Sequence, residues 1–266
     1  MLAFAAPGRP GLTLLVSSMA RRILSFVEWG LLGVIVLVWL PILALIFVVT
    51  APFDAGRYHA GRWFRLAAVA IVGVNPLWRF RTSGVRIRDP RRPYVVVSNH
   101  ESFTDILLIS HLPWEMKWLS KHAFFRIPLL GWMMRMAGDI EVHRGKSESR
   151  SDAVQGIRDR LAKRVSVMIF PEGTRSRTGD LLPFQNGAFR VAVDLGLPIL
   201  PLALAGTSGA LAKGTFIMAP AHAEVRVLEP IETTGLTVSD VPELRDRVRR
   251  LIDEARRELQ RELGAA

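Results

Sequence analysis

Cysteine is absent from this chain of 266 residues, so disulfide bridges, thiolate metal sites and cysteine nucleophiles are excluded. Acidic residues are also scarce. The chain has 24 Asp and Glu against 35 Lys and Arg, which gives a formal net charge of +11 at pH 7. A charge of this sign predicts a polyanionic partner or surface, and nucleic acid and the headgroups of anionic lipids are the two candidates.

Charged side chains are missing altogether between residues 29 and 53. About 20 apolar residues are enough to cross the hydrocarbon core of a membrane, so this run predicts a membrane-embedded helix, kinked at Pro41. Residues 1–22 are rich in Gly and Pro and are predicted to be irregular. No small-residue cleavage site follows the apolar run, so this run is not expected to be part of a removed signal peptide. Seven Trp and thirteen Phe suit a membrane interface better than nucleic acid.

A second apolar stretch, residues 66–78, is too short to cross a membrane comfortably. Arginines flank the two runs on both sides, so the positive-inside rule gives no direction. Two arrangements stay open: a spanning helix, or a pair of helices that enter one leaflet and return. Residues 1–78 are therefore predicted to form an N-terminal membrane-associated helical region, and residues 79–266 a separate domain.

Short runs rich in β-branched residues alternate with helical patterns after residue 79, which predicts an α/β fold with a mostly parallel or mixed sheet flanked by helices. Helices are predicted at 103–112, at 153–161, at Gly187–Leu195 and after Asp240. The predicted strands are 85–87, 94–97, 116–119, 140–142, 165–170, 199–203 and 224–228.

The polar stretch that follows the strand at 94–97 contains a histidine and an aspartate five residues apart, His100 and Asp105. Functional groups of α/β folds gather at the carboxyl ends of strands. A neutral imidazole, with an ordinary pKa of about 6.5, can accept a proton at cytoplasmic pH, and a carboxylate behind it would orient the ring. The alternative is a polar turn that caps a helix, with His100 at the surface.

A second polar block, residues 170–177, follows the strand at 165–170. Its proline and glycine permit a tight turn whose backbone N–H groups can face an anion. Arg175 and Arg177 could donate bidentate hydrogen bonds to a phosphate, and Glu172 could accept one from a hydroxyl. The alternative is an exposed basic turn.

The segment 121–146 is apolar and aromatic and ends in a short strand followed by Arg144. Most of its large side chains are predicted to be core. Five of them are candidates to line an acyl chain: Phe124, Phe125, Trp132, Met133 and Met134.

Together these blocks resemble the four sequence motifs of the glycerolipid acyltransferases, in order and in spacing. The resemblance covers about residues 79–230. The first motif is NHxxxxD, the second ends in an arginine after a glycine and a short strand, the third is FPEGTRS and the fourth is an apolar PIxP stretch. In this chain the motifs are Asn99-His100 to Asp105, Gly138 to Arg144, Phe170 to Ser176 and Pro198 to Pro201.

The resemblance implies that His100 is a general base oriented by Asp105 and that no covalent acyl-enzyme forms. A thioester donor is already activated, so neither a cofactor nor a metal is expected, and the other histidines show no HExxH or similar metal-ligand spacing. The resemblance also implies a set of substrate-binding residues: Asn99, Arg144, Glu172, Gly173, Thr174 and Arg175. Two positions depart from the family pattern. His143 replaces a frequent aspartate before the arginine of the second motif, and Gln185-Asn186 stand where a lysine is frequent.

The implied reaction moves a fatty acyl group from acyl-CoA or acyl-carrier protein to the sn-2 hydroxyl of 1-acylglycerol 3-phosphate and gives phosphatidate. The implied location is the cytoplasmic face of the cytoplasmic membrane. The expected partners are the lysolipid, the acyl thioester, acyl-carrier protein as one candidate donor, and an anionic membrane surface, with no nucleic acid. The departures leave another acceptor open, such as lyso-ornithine lipid. A non-catalytic, basic membrane-binding protein is the rival from another class.

Overall fold

The structure is a computed structural model that describes residues 10–143, 147–176, 180–211 and 214–264. It begins with two helices, α1 (Pro10–Thr50) and α2 (Tyr58–Val74). The predicted irregular start was wrong from residue 10 onward, because α1 already includes residues 10–22. Proline can occupy the first turn of a helix without losing a hydrogen bond, so Pro10 is compatible with this start.

Seven strands form one sheet in the described part of the chain, in the order β1-β7-β6-β2-β5-β3-β4. All neighbouring pairs are parallel except β6 and β7. The mixed, mostly parallel sheet of the sequence analysis is thereby confirmed. The strands are β1 (Trp78–Gly84), β2 (Val95–Ser98), β3 (Met116–Lys121), β4 (Ile140–Val142), β5 (Ser166–Ile169), β6 (Ile199–Ala205) and β7 (Ala221–Val227).

The strand predicted at 85–87 was wrong, because the chain forms β1 immediately before it. Apolar Trp78 and Phe80 alternate with Arg79 and Arg81 in this strand, which is the pattern of a strand with one buried face. Strand β1 pairs in parallel with β7 at the edge of the sheet, and no local sequence pattern indicates this pairing. The other six predicted strands overlap observed ones.

Helices cover both faces of the sheet. The predicted helices at 153–161, at Gly187–Leu195 and after Asp240 are confirmed, whereas the one predicted at 103–112 is shorter. The helices that follow α2 are α3 (Asp105–Ile109), α4 (His122–Phe125), α5 (Leu130–Ala137), α6 (Ser147–Ala162), α7 (Gly187–Leu195) and α8 (Val241–Glu262), and a 3₁₀ turn at Val238–Asp240 precedes α8.

The central strands are buried on both faces, so alternate residues of one strand enter different cores. Val95 and Val97 of β2 pack with residues of α6, α7 and α8. Val96 between them packs with α3 and the aromatic residues Trp114 and Trp118. Such continuous apolar strands are typical of parallel sheets, and they place the carboxyl end of β2 at the centre of the molecule.

Helix α1 packs on α2 and α5 along one side only. Its Leu43 is fully buried, and the Trp39 ring stacks on the Trp63 ring of α2 with centroids 5.1 Å apart. Between residues 19 and 50, α1 also exposes large apolar side chains, such as Phe26 and Val48. Within the described residues, the stretch Met19–Thr50 is the one helix that is long and apolar enough to cross a membrane.

Candidate active site

The candidate base lies at the carboxyl end of β2, where the chain turns toward α3. The Nδ1 atom of His100 lies 2.8 Å from Oδ2 of Asp105. A carboxylate only accepts hydrogen bonds, so Nδ1 carries a proton, and in the neutral form of the ring the lone pair is on Nε2. The His100 side chain is 16% exposed and Asp105 is fully buried. The carboxylate is therefore shielded from water, while the ring retains an edge that a substrate can reach.

The buried carboxylate of Asp105 is held by more than the imidazole. Its Oδ2 also accepts the backbone N–H groups of Glu101, at 2.8 Å, and Ser102, at 2.9 Å. Its Oδ1 accepts the hydroxyl of Thr207, which lies just beyond β6. Hydrogen bonds to a buried charge offset the loss of water. This set of donors stabilises the charged carboxylate and fixes its position.

The FPEGTRS turn packs directly against the candidate base. The Phe170 ring stacks on the His100 ring with centroids 3.9 Å apart, and the two planes are inclined by 13°. The backbone N–H of Ser176 donates to the carbonyl oxygen of His100 at 2.9 Å. The first and third motifs thus form one unit, which the adjacency of the parallel strands β2 and β5 makes possible.

Glu172 joins the two motifs from inside the protein rather than facing the cleft. Its Oε1 accepts the backbone N–H of His100 at 2.7 Å, and its Oε2 accepts that of Leu182 at 3.0 Å. Only 5% of the residue is exposed. Both side-chain oxygens thus accept backbone N–H groups and hold the two motifs together, and the predicted contact with an acceptor hydroxyl stays a prediction.

Gly173 follows with a left-handed backbone, at φ 69°. A Cβ atom there would lie 2.8 Å from the side-chain nitrogen of Gln185. Both the conformation and the close approach favour glycine. The turn therefore needs this residue to direct Thr174 and Arg175 toward the cleft.

An open cleft of about 280 Å³ lies in front of the His100 ring. Its walls combine the candidate base with cationic and apolar side chains, so it can receive a molecule that has both a charged and an apolar part. The cationic side chains are Arg175 and Lys121, and Gly173 and Thr174 lie beside Arg175. The apolar part includes Ile106, Trp118, Phe124, Val142, Ile169 and Phe170.

A smaller apolar cavity of about 70 Å³ adjoins the cleft and shares Ile106, Trp118, Ser120 and Phe124 with it. Of the five side chains predicted as candidates to line an acyl chain, Phe124 and Met134 line this cavity. The other three do not line it: Phe125 and Met133 are core residues, and Trp132 is 57% exposed.

Asn99 is oriented away from the cleft. Its side-chain Nδ2 donates to the carbonyl oxygen of Leu204, and its Oδ1 accepts the N–H of the same residue, both at 2.9 Å. The amide thereby continues the ladder between β2 and β6 beyond the last backbone pair, and the residue is 1% exposed. In this geometry the Asn99 side chain links β2 to β6, and its predicted substrate contact stays a prediction. The predicted phosphate ligands Arg144 and Arg177 lie outside the described residues.

Two acidic side chains near the His100–Asp105 pair have raised pKa values. Burial, with the nearby Asp105 charge, raises the pKa of Glu101 to about 8. Burial likewise raises the pKa of Glu172 to about 7, although the hydrogen bonds from His100 and Leu182 oppose the change. A negative charge at either position is costly, because both side chains are shielded from water and the Asp105 charge lies nearby.

The Glu101→Gln substitution should stabilise the protein at alkaline pH. The folded state binds the proton of Glu101 more tightly than the unfolded state, whose pKa is near 4.5, so wild-type stability falls as pH rises through this window. The free energy of unfolding of the variant should equal that of wild type below about pH 4.5. The difference should grow between about pH 4.5 and pH 8 and remain a few kcal/mol in favour of the variant above that. Unfolding by urea in detergent at a series of pH values would measure this difference, and a constant difference at all pH values would contradict the assignment.

Sequence reasoning missed the partners that lie far away along the chain. Thr207 donates to Asp105 from 102 residues away, and Leu204 binds Asn99 from 105 residues away. Thr207 belongs to a Gly-Thr-Ser-Gly stretch that lacks the GxSxG pattern of a serine hydrolase elbow, so no local motif marks it. The strand order that brings β6 beside β2 was the missing information.

Known proteins are similar to this chain in sequence and in fold. A family model described as Acyltransferase matches residues 79–205. Human 1-acyl-sn-glycerol-3-phosphate acyltransferase alpha is 32% identical over 215 residues, which are 79% of this chain and 75% of that protein. The chloroplastic 1-acyl-sn-glycerol-3-phosphate acyltransferase BAT2 of Brassica napus is 36% identical over 160 residues, which are 60% of this chain and 46% of that protein. The chain thus spans about half the length of this plant relative.

A solved structure is also similar, the 1-acyl-sn-glycerophosphate (LPA) acyltransferase PlsC of Thermotoga maritima. The TM-score is 0.69 at 23% identity, and the match covers 90% of this chain and 98% of that chain. At this identity the likeness is one of fold, and it includes the fold class predicted from the sequence.

The fold and the family model together define the class as an α/β acyltransferase fold. The curated relatives narrow the class further: the chain belongs to the glycerolipid acyltransferase family, which includes the 1-acyl-sn-glycerol-3-phosphate acyltransferases.

Proposed function

We propose that the protein transfers a fatty acyl group from an acyl thioester, acyl-CoA or acyl-carrier protein, to the sn-2 hydroxyl of 1-acylglycerol 3-phosphate. The observation that carries this proposal is the His100–Asp105 pair, whose ring faces a cleft that also holds Arg175. The names of the relatives of this chain describe the same acceptor, 1-acyl-sn-glycerol 3-phosphate. The cleft supplies one wall for a phosphate and another for an acyl chain.

The pair can deprotonate the acceptor directly. The lone pair of His100 Nε2 takes the proton of the sn-2 hydroxyl while that oxygen attacks the thioester carbonyl carbon. Asp105 stabilises the imidazolium that forms. When the carbon–sulfur bond breaks, the departing thiolate takes up the proton, and the ester and the free thiol are the products. The thioester is already activated, so one base and the alignment of the two reactants are sufficient.

The acyl chain of a substrate has an apolar place beside the base. The cavity of about 70 Å³ joins the cleft through shared residues and is lined by Phe64, Phe124, Leu130 and Met134 among others. Burial of each methylene is worth about 0.8 kcal/mol. A part of the acyl chain held there would lie next to the cleft that His100 lines.

Helices α1 and α2 would hold the protein at the membrane that contains its lipid substrate. The exposed apolar side of α1 suits burial in a membrane, and the net charge of +11 suits anionic headgroups. We propose that residues 1–78 embed the chain in the cytoplasmic membrane and that residues 79–266 act on its cytoplasmic face. Helix α2 packs on β3 and α5, so the cleft would lie close to the bilayer.

Arg175 should discriminate among acceptors. A phosphomonoester carries about 1.5 to 2 negative charges at pH 7, and hydrogen bonds to charged groups are worth about 1.5–3 kcal/mol. Arg175→Ala should therefore lower kcat/KM for 1-acylglycerol 3-phosphate by roughly tenfold to a hundredfold. Arg175→Lys should lower it less, because the charge stays but the bidentate geometry is lost. The measurement is acyl transfer by the purified enzyme to a panel of lysolipids.

The matched control is Arg190→Ala, which removes the same charge from an exposed position on α7 and should leave the acceptor preference unchanged. The Arg175 variants should alter transfer to a lysolipid without a terminal phosphate, such as lyso-ornithine lipid, by less than threefold. A wild-type preference for lyso-ornithine lipid would reject the phosphate acceptor. Absence of transfer to every lysolipid would favour the non-catalytic membrane-binding protein.

A further inference from the structure

Two histidines and a glutamate converge at the edge of the sheet, where β3 and β4 end. Nδ1 of His122 is in contact with Oε1 of Glu141, and Nε2 of His143 lies 3.5 Å from the same oxygen. The two imidazole rings are 4.2 Å apart. One potential ligand atom from each residue lies within 4.8 Å of the other two.

The parallel pairing of β3 and β4 explains why these residues meet. Ser120 pairs with Glu141 and Lys121 with Val142, so His122 and His143 are opposite each other one step further. Side chains alternate along a strand, so Glu141 and His143 lie on the face of β4 opposite to that of Val142. Glu141 shares its face with its partner Ser120, which lines the cleft, so the cluster borders the cleft at the end of β4.

We propose that His122, Glu141 and His143 form a binding site for a divalent transition-metal ion of the zinc class. Two imidazoles and one carboxylate are a ligand set that suits Zn²⁺ and excludes the oxygen-preferring Mg²⁺ and Ca²⁺. In a tetrahedral site with bonds of about 2.0 Å, ligand atoms are about 3.3 Å apart. The 3.5 Å separation of the His143 and Glu141 atoms matches this spacing, and rotation of the His122 side chain would complete it.

The site is accessible and its effect would be structural. The three side chains are between 30% and 50% exposed, so an ion can enter and a water molecule can fill the fourth position. β4 is a strand of three residues at the end of the described sheet, paired with β3 alone. An ion bound at the site would fasten this edge strand to the start of α4. The inference does not depend on the proposed acyl transfer.

Direct metal binding tests the proposal. Tag-free protein, purified with a chelator and freed of it, should bind one Zn²⁺ per chain in equilibrium dialysis. Co²⁺ should give the visible absorption of a tetrahedral site, and Mg²⁺ should not compete. Thermal unfolding should shift upward with added Zn²⁺, because an ion that binds the folded state alone stabilises it.

Variants locate the site. His143→Ala and Glu141→Gln should each weaken Zn²⁺ binding at least tenfold and remove the thermal shift. His222→Ala, which removes an exposed histidine from β7, should bind as wild type does. Retention of the stoichiometric ion in both ligand variants would overturn the proposal. A wild-type protein whose Co²⁺ shows only the octahedral spectrum of the hydrated ion would also overturn the proposal. This measurement does not depend on the folding of any variant.

Discussion

Replacement of His100 by alanine should lower kcat for acyl transfer by a factor of about 10²–10⁴, which is what a positioned base contributes. The protein should still fold. The variant loses the stacking on Phe170, but the buried carboxylate of Asp105 keeps its hydrogen bonds from Glu101, Ser102 and Thr207. No buried charge is left without partners, so the large stability penalty of an unpaired group does not arise.

Asp105→Asn separates orientation from proton transfer. An amide oxygen at the Oδ2 position can still accept from Nδ1 of His100, but the charge that stabilises the imidazolium is lost. This variant should retain more activity than His100→Ala, while His222→Ala should have the activity of wild type. Circular dichroism and vesicle binding would verify folding and membrane attachment. Turnover within threefold of wild type in a folded His100→Ala protein would refute the role of the ring.

The strands were predictable where both faces are buried, because a short, uninterrupted run of β-branched residues is typical of such a strand. The run at 94–97 became β2 and the run at 165–170 became β5 within one or two residues. Strand β1 was missed for the opposite reason. Its arginines alternate with Trp78 and Phe80, and this polar face made the segment look like the end of the membrane region.

The candidate site was predictable to the extent that it is local. His100 and Asp105 are five residues apart, so a motif reports them together, and the structure brings them within hydrogen-bonding distance. The orientation of Asn99 and Glu172 could not be inferred, because their partners are the backbone groups of Leu204 and Leu182 on other elements. A motif states which residue types are present but not which way each side chain points.

A buried charge cluster beneath α2 was also beyond the sequence analysis, although Lys117 belongs to a correctly predicted strand. Lys117 and Glu115 are fully buried, and Nζ lies 3.0 Å from Oε1 of Glu115. The same ammonium donates to the carbonyl oxygen of Arg57 at 2.7 Å. A Cβ atom on Gly61 of α2 would lie only 2.1 Å from Oε1 of Glu115. Glycine therefore lets the helix that precedes the sheet approach the charged pair closely.

Loss of one member of this pair should be among the most destabilising single changes in the chain. Burial raises the pKa of Glu115 and lowers that of Lys117, so it opposes the charged form of each group. The opposite charge of the partner offsets this cost. Glu115→Leu leaves the ammonium buried without its carboxylate and should cost about 3–5 kcal/mol in the free energy of unfolding. The double variant Glu115→Leu/Lys117→Met removes both charges and should cost clearly less than the sum of the two single changes.

Urea unfolding in detergent, followed by tryptophan fluorescence, would measure this cycle. The control is Glu232→Gln, which breaks the exposed pair between Arg92 and Glu232 and should cost no more than about 1 kcal/mol. Without Glu115, Arg65 loses a contact at 3.8 Å but keeps its contact with Asp139, so the attachment of α2 is weakened but not removed. Additive single and double variants would mean that Lys117 loses its charge when Glu115 is absent, and that the carbonyl of Arg57 is enough to satisfy the neutral amine.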